Sequence, residues 1–260
     1  MPADTPAQSP PQVLEEGNLY FIYRPKVQRE TVNSLDDIQQ VHLVMGPHGR
    51  QWFRLITLGK KRLPDLSGDN QQGWAFVETV ADSGKELEAG LRREEYETKT
   101  RGDRIQPAAR PVGEGVYQLV VDQDGQTRLL YALELPEEIG TAQAKLHINR
   151  HGNYVVTVKN PDQPSPPGAG FQRGDRRADF PAALQNEFGD RKFIAINPPD
   201  YLDYPGTELL LIGTASQTAE TVGAELHPQA EDEQTSEAIH KLRMRKSRHP
   251  LEPLLEGELK

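Results

Sequence analysis

The chain has 260 residues, no cysteine, a formal net charge of −9 and a pI near 5.3. Disulfides, thiolate metal sites and cysteine nucleophiles are therefore excluded. The acidic balance opposes a general nucleic-acid coat, because phosphate binding needs a positive field.

Hydrophobic residues make up only 35% and mean hydropathy is −0.70, so part of the chain is expected to stay unfolded. Residues 1–16, rich in Pro, Ala, Ser and Gln, read as a disordered arm. They contain no basic and apolar leader, and no stretch approaches the roughly 18–20 apolar residues of a membrane helix, so a soluble cytoplasmic protein is expected.

Order is expected from Gly17. Leu19–Tyr23 is aromatic and branched and reads as a buried strand. Val41–Met45 and Trp52–Leu58 read as a hairpin about the turn Gly46-Pro47-His48-Gly49. Trp74–Val80 is a third strand, and Lys85–Glu95, with Leu87 and Leu91 four apart, an amphipathic helix.

The second half repeats the pattern. Val116–Val121 and Arg128–Leu135 flank the turn Asp122–Gly125, Glu137–Leu146 is helical, and Tyr154–Val158 is the next strand. Placing Gly49 on Gly125 sets Leu43-Val44-Met45 on Leu119-Val120-Val121 without a gap. Pro181–Phe188 then answers the earlier helix, which points to a duplicated unit with halves 17–110 and 111–213. Phe193–Ile196 and the apolar run Glu208–Ile212 are the last strands, after a Pro/Gly-rich loop over Asn160–Asp179. The fold class expected is α+β, a mostly antiparallel sheet with a few short helices. Residues 214–260 read as a disordered tail with an acidic cluster, Glu231–Glu233, and a basic block, His240–His249.

The segments LYFIYRPKV, ETKTRGDR, PAARPVGEGVY, LELPEE, VTVKNPD, DFPAALQNEF and DYPGTELLLIG together resemble a family of conserved hypothetical bacterial proteins with no established activity. The resemblance covers about 17–213. It implies one folded unit and carries no functional residue.

The connector Tyr96–Tyr117 is the least scaffold-like stretch. Lys99, Arg101, Arg104 and Arg110 lie among glycines and prolines there, and guanidinium forks beside Gly suit a phosphate or carboxylate. Tyr117 and Tyr201 are expected to line the same polar site. Such charge runs are more often solvated faces. Arg101-Gly102-Asp103 is too short a match to indicate adhesion.

Other chemistry has little support. The histidines are dispersed and His147/His151 fall on a turn, so neither a metal nor a cofactor is expected. There is no G-x-S-x-G, and Gly113-Glu114-Gly115 precedes a strand, unlike a nucleotide loop. The reading is a non-enzymatic binding or interaction module for an unknown protein or small anionic ligand. One alternative is an enzyme on a phosphorylated or carboxylated small molecule, with Arg101, Arg104 and Arg110 binding and Asp200 or Asp203 moving a proton. The other is weak nucleic-acid binding through the basic tail alone.

Overall fold

A computed structural model describes residues 11–67, 71–100, 102–165, 177–214 and 224–260. Alternating apolar residues build its strands, each turned at a polar or glycine-bearing break. These are β1 (Gln12–Pro25), β2 (Ile38–Pro47), β3 (Phe53–Leu58), β4 (Gln72–Ala81), β5 (Glu94–Thr98) and β6 (Gly102–Gln106). β7 (Arg110–Val121), β8 (Thr127–Leu135), β9 (His151–Lys159), β10 (Phe193–Ala195) and β11 (Glu208–Gly213) follow. The helices are short: α1 (Gly84–Leu91), α2 (Thr141–Leu146), α3 (Ala182–Phe188), α4 (Glu237–His240) and α5 (Glu252–Leu255).

The strands β1-β2-β3-β4-β11-β9-β8-β7 pair in that order, and β7 pairs back to β1. This closes an antiparallel barrel of eight strands, with β10 beside β9 and β5–β6 a separate hairpin. The expected α+β class is thereby corrected to a β-type fold. The strands were read in place, but their closure depends on β1·β7 and β4·β11, pairings between distant segments that local periodicity does not encode.

The order is that of two four-strand meanders, joined first strand to first (β1·β7) and last to last (β4·β11). In this order β8, rather than β7, stands where β2 stands. The ungapped match of 43–45 with 119–121 is one strand out of step with it.

Inward residues Phe21, Leu43, Ile56, Val77, Leu119, Tyr131, Val156 and Leu209 fill the barrel. The void among Leu43, Ile56, Leu119, Val156 and Leu209 is only about 20 Å³, so these residues form packed core. β1 is apolar on both faces, because Tyr20 and Ile22 point outward under a second layer. That layer comes from Leu87 and Leu91 of α1 and from Leu242, Met244 and Leu254 near the C-terminus.

Residues 224–260 are therefore a strap along the outside of the barrel, not the expected disordered tail. Ala238, Leu242, Met244, Leu251 and Leu254 are buried. Glu114 accepts from Ser236 Oγ (2.8 Å) and from the Ala238 amide (2.9 Å), which caps α4. Gln143 Nε2 donates to the carbonyls of Val112 (2.7 Å) and Pro253 (2.8 Å), tying α5 to β7. The disordered arm expected over 1–16 also ends sooner, since β1 begins at Gln12 and pairs with β7 from there. Among the described residues no helix is long and apolar enough to cross a membrane.

Candidate functional site

The residues expected to bind an anion lie apart. Lys99 is exposed in the turn of the β5–β6 hairpin, and Arg104 stands on β6 opposite Tyr96. The same hairpin carries Glu94, Glu95, Glu97 and Asp103, so its field is mixed. Arg101 lies outside the described residues. Arg110 is buried at one end of the barrel, donating to the Glu30 carbonyl and packing 5.9 Å from the Tyr23 ring. Tyr201 is enclosed by Phe180 and Phe188, its hydroxyl 2.8 Å from the Leu184 carbonyl and 3.0 Å from Glu187.

Asp203, a proposed proton carrier, accepts from Arg54 Nε at 2.7 Å and from Trp52 Nε1 at 3.2 Å. Arg54 also donates to Glu15 at 2.6 Å, and Glu15 accepts the Tyr117 hydroxyl at 2.8 Å. Its polar contacts are made within the protein. This is a knot that closes one end of the barrel, and it uses Tyr117 structurally. Part of the basic block is engaged as well: Lys241 pairs with Glu237, and Arg248 and His249 reach Glu88. Among the described residues there is no group of three or more His, Asp or Glu arranged to hold a metal.

A different site emerges where the strap crosses β1, β7 and β8. A pocket of about 330 Å³ opens there, and Tyr117 is the one expected site residue that borders it. Glu16 and Asn18 come from β1, Gln118 from β7 and Glu134 from β8, all on outward-facing strand positions. The strap supplies His227, Glu231 and Glu237, and the β2–β3 turn supplies His48. His48 Nε2 lies 2.8 Å from Asn18 Oδ1, so that nitrogen carries the proton.

Each carboxylate has a distinct environment. Glu237 is compensated by Lys241 and accepts the Tyr20 hydroxyl at 3.0 Å. Glu134 accepts the Gln229 amide at 2.6 Å, and burial pushes its carboxyl pKa up. Glu231 lies against Glu114 beneath it. Burial first, then the hydrogen bond and charge of Glu114, push the Glu231 carboxyl up to about 8. Two carboxyls in contact cannot both ionise cheaply, so Glu231 keeps its proton near neutral pH.

Among the described residues, Gln118 Oε1 is a buried acceptor without a donor, and Glu114 Oε1 and Glu231 Oε2 have no donor beyond the Glu231 carboxyl proton. Glu114 and Gln118 are only 1% and 9% exposed, so water reaches them poorly. Buried acceptors without donors are uncommon and costly.

Sequence reasoning missed this site because Glu16, Glu114, Glu134 and Glu231 lie on four separate segments. One signal was available: Glu114 is a charged residue held between two glycines inside an apolar strand, where a carboxylate needs a specific partner. No family model, curated protein or solved structure matches this chain.

Proposed function

We propose that the protein is a binding module that takes an organic cation, an ammonium or guanidinium group, in the pocket between the strap and β1, β7 and β8. The observation that carries this reading is Gln118 Oε1, a buried acceptor without a donor among the described residues, on a pocket rimmed by Glu16, Glu134, Glu231 and Glu237. An ammonium supplies three donors and a positive charge, and charge-assisted bonds to carboxylates are the stronger kind.

The sign of the site differs from the one expected. A phosphorylated or carboxylated ligand would enter the field of Glu16, Glu134 and Glu231 and be repelled. The raised acid, Glu231, also lies on a different element from Asp200 and Asp203, and Asp203 is engaged by Arg54 rather than by Arg104 or Arg110.

The test is to follow amide and side-chain NMR shifts while titrating butylamine, guanidinium chloride and, as an anion control, inorganic phosphate. Shifts at Gly17, Gln118 and Gln229 with the cations support the reading. Shifts with phosphate at the β5–β6 hairpin, and none at the pocket with either cation, would reject it.

A further inference from the structure

Resting on that reading, we infer that the ligand is a linear oligoamine, and that its binding beside Glu231 expels the proton of that carboxyl. The strap makes one wall of the pocket and the barrel the other, and carboxylates stand on both. Only part of that charge is answered inside the protein. Glu237 has Lys241. Glu16 has the His48 ring 3.9 Å away and the Gln118 Nε2 donor at 3.4 Å. Glu134 has a backbone amide but no ion pair among the described residues. Glu114 has the Ser236 hydroxyl and the Ala238 amide, Glu231 has a backbone amide and lies against Glu114, and neither has an ion pair among the described residues.

More than one carboxylate thus lacks a counter-charge, and a single ammonium would neutralise one of them. A chain with several ammonium groups spaced by methylenes meets the two walls together. Val116 and Leu226, which also border the pocket, offer apolar surface to the methylenes. An inorganic cation has neither the donors that Gln118 Oε1 lacks nor the apolar stem.

The proton bookkeeping follows from the neighbours of the pair. Glu231 faces Glu114 from β7 and Glu237 and Tyr20 across the strap and β1, with Glu134 of β8 nearby. Lys241 is the nearby cation and is held by Glu237. An ammonium entering beside Glu231 stabilises its ionised form. The Glu231 carboxyl O–H bond breaks, the proton leaves to solvent, and the amine keeps its own protons. Binding should therefore tighten as pH rises through the range in which Glu231 loses its proton.

The experiment is isothermal titration of the full chain with spermidine at pH 6, 7 and 8, in two buffers of different ionisation enthalpy. Affinity is expected to rise by up to about tenfold per pH unit, with release of close to one proton, and to level off above the pair's range. Glu231→Gln should bind more weakly with most of the pH dependence lost. Glu134→Gln should bind more weakly but keep it. Butylamine at matched ionic strength should bind at least about tenfold less tightly, because it brings one ammonium where spermidine brings several.

Spermidine binding no tighter than butylamine overturns the oligoamine assignment. Wild-type affinity that does not change with pH overturns the proton release. Both results leave the organic-cation site in place. If neither amine binds, that reading fails and this inference fails with it.

Discussion

Glu88 of α1 and His249 of the strap are separated by 161 positions in the chain, and their side chains meet at 3.4 Å in a fully buried contact. The His249 Nδ1–H donates to the Ala109 carbonyl at 2.6 Å, so the ring bridges β7's approach and α1. Glu88 also accepts from Arg92 Nε at 2.8 Å and from Arg248 at 3.4 Å. The strap is thus fastened at a carboxylate that three basic side chains surround.

Removing that carboxylate strands its partners. The Arg92 hydrogen bond, then His249, hold the Glu88 carboxyl down at about 2 against burial. A lowered pKa means a contribution to stability that is full above the ordinary carboxylate range and lost as pH falls from about 4.5 toward 2. Glu88→Gln should cost about 3 kcal/mol in urea unfolding at pH 7 and flatten this acid limb. A variant as acid-sensitive as wild type over that window would show that Glu88 does not fasten the strap.

Arg54 is a test of the barrel itself. It is 1% exposed and lies inside the barrel between Glu15 and Asp203. Arg54→Met would leave two carboxylates enclosed with no cation, a loss of about 3–5 kcal/mol. Adding Glu15→Gln and Asp203→Asn to Arg54→Met should restore at least half of it, because the uncompensated charge goes with them. Urea denaturation of the single and triple variants decides this. A triple variant no more stable than Arg54→Met would mean that packing, not charge, is what Arg54 supplies.

The contrast between Glu88 and Leu19–Tyr23 shows what the sequence could disclose. Leu19–Tyr23, the turns at Gly49 and Gly125 and the run Glu208–Ile212 carry their structure locally, through β-branched and aromatic content and left-handed glycines with φ of 74°. Closure does not. Nothing near Leu119 announces that it pairs with Glu15, and nothing near Leu209 announces Ala75. The strap was read as disordered because Leu242, Met244, Leu251 and Leu254 are sparse among charges, and their burial depends on an outer barrel face assembled from distant strands. The pocket was illegible for the same reason, whereas Tyr117 was picked from a stretch that borders it by position.

The Glu114–Glu231 pair makes strap docking depend on pH in the opposite direction to Glu88. Glu231 is raised toward about 8, so the folded state holds a proton that the unfolded state releases near the ordinary carboxylate value. The stability this gives is complete below about 4.5 and is lost as pH rises through about 8. Without ligand, amide exchange at Gln229 and Ala238 should therefore accelerate between pH 5 and 8 beyond the intrinsic rate. Glu231→Gln, which keeps a hydrogen-bonding group and cannot ionise, should abolish that excess. Equal excess in both proteins would place the titrating group elsewhere.

Gly84 and Gly90 lie on the same helix, and the same substitution should move them in opposite directions. In an open helical position, Gly→Ala stabilises by up to about 1 kcal/mol by restricting the unfolded chain. A Cβ on Gly90 meets nothing within 4 Å, and the Gly90 carbonyl remains free to accept from Arg24 Nη1 at 2.8 Å. Gly90→Ala should raise the urea midpoint. A Cβ on Gly84 would stand 1.9 Å from the Lys241 carbonyl oxygen, which is backbone and cannot swing aside. Gly84→Ala must push α4 off α1, undoing the burial of Leu242 against Leu87 while leaving the barrel closed. Limited proteolysis should then cut first within 224–260 and leave a protected barrel. Matching protease patterns for Gly84→Ala and Gly90→Ala would mean that the strap does not rest on α1 at this point.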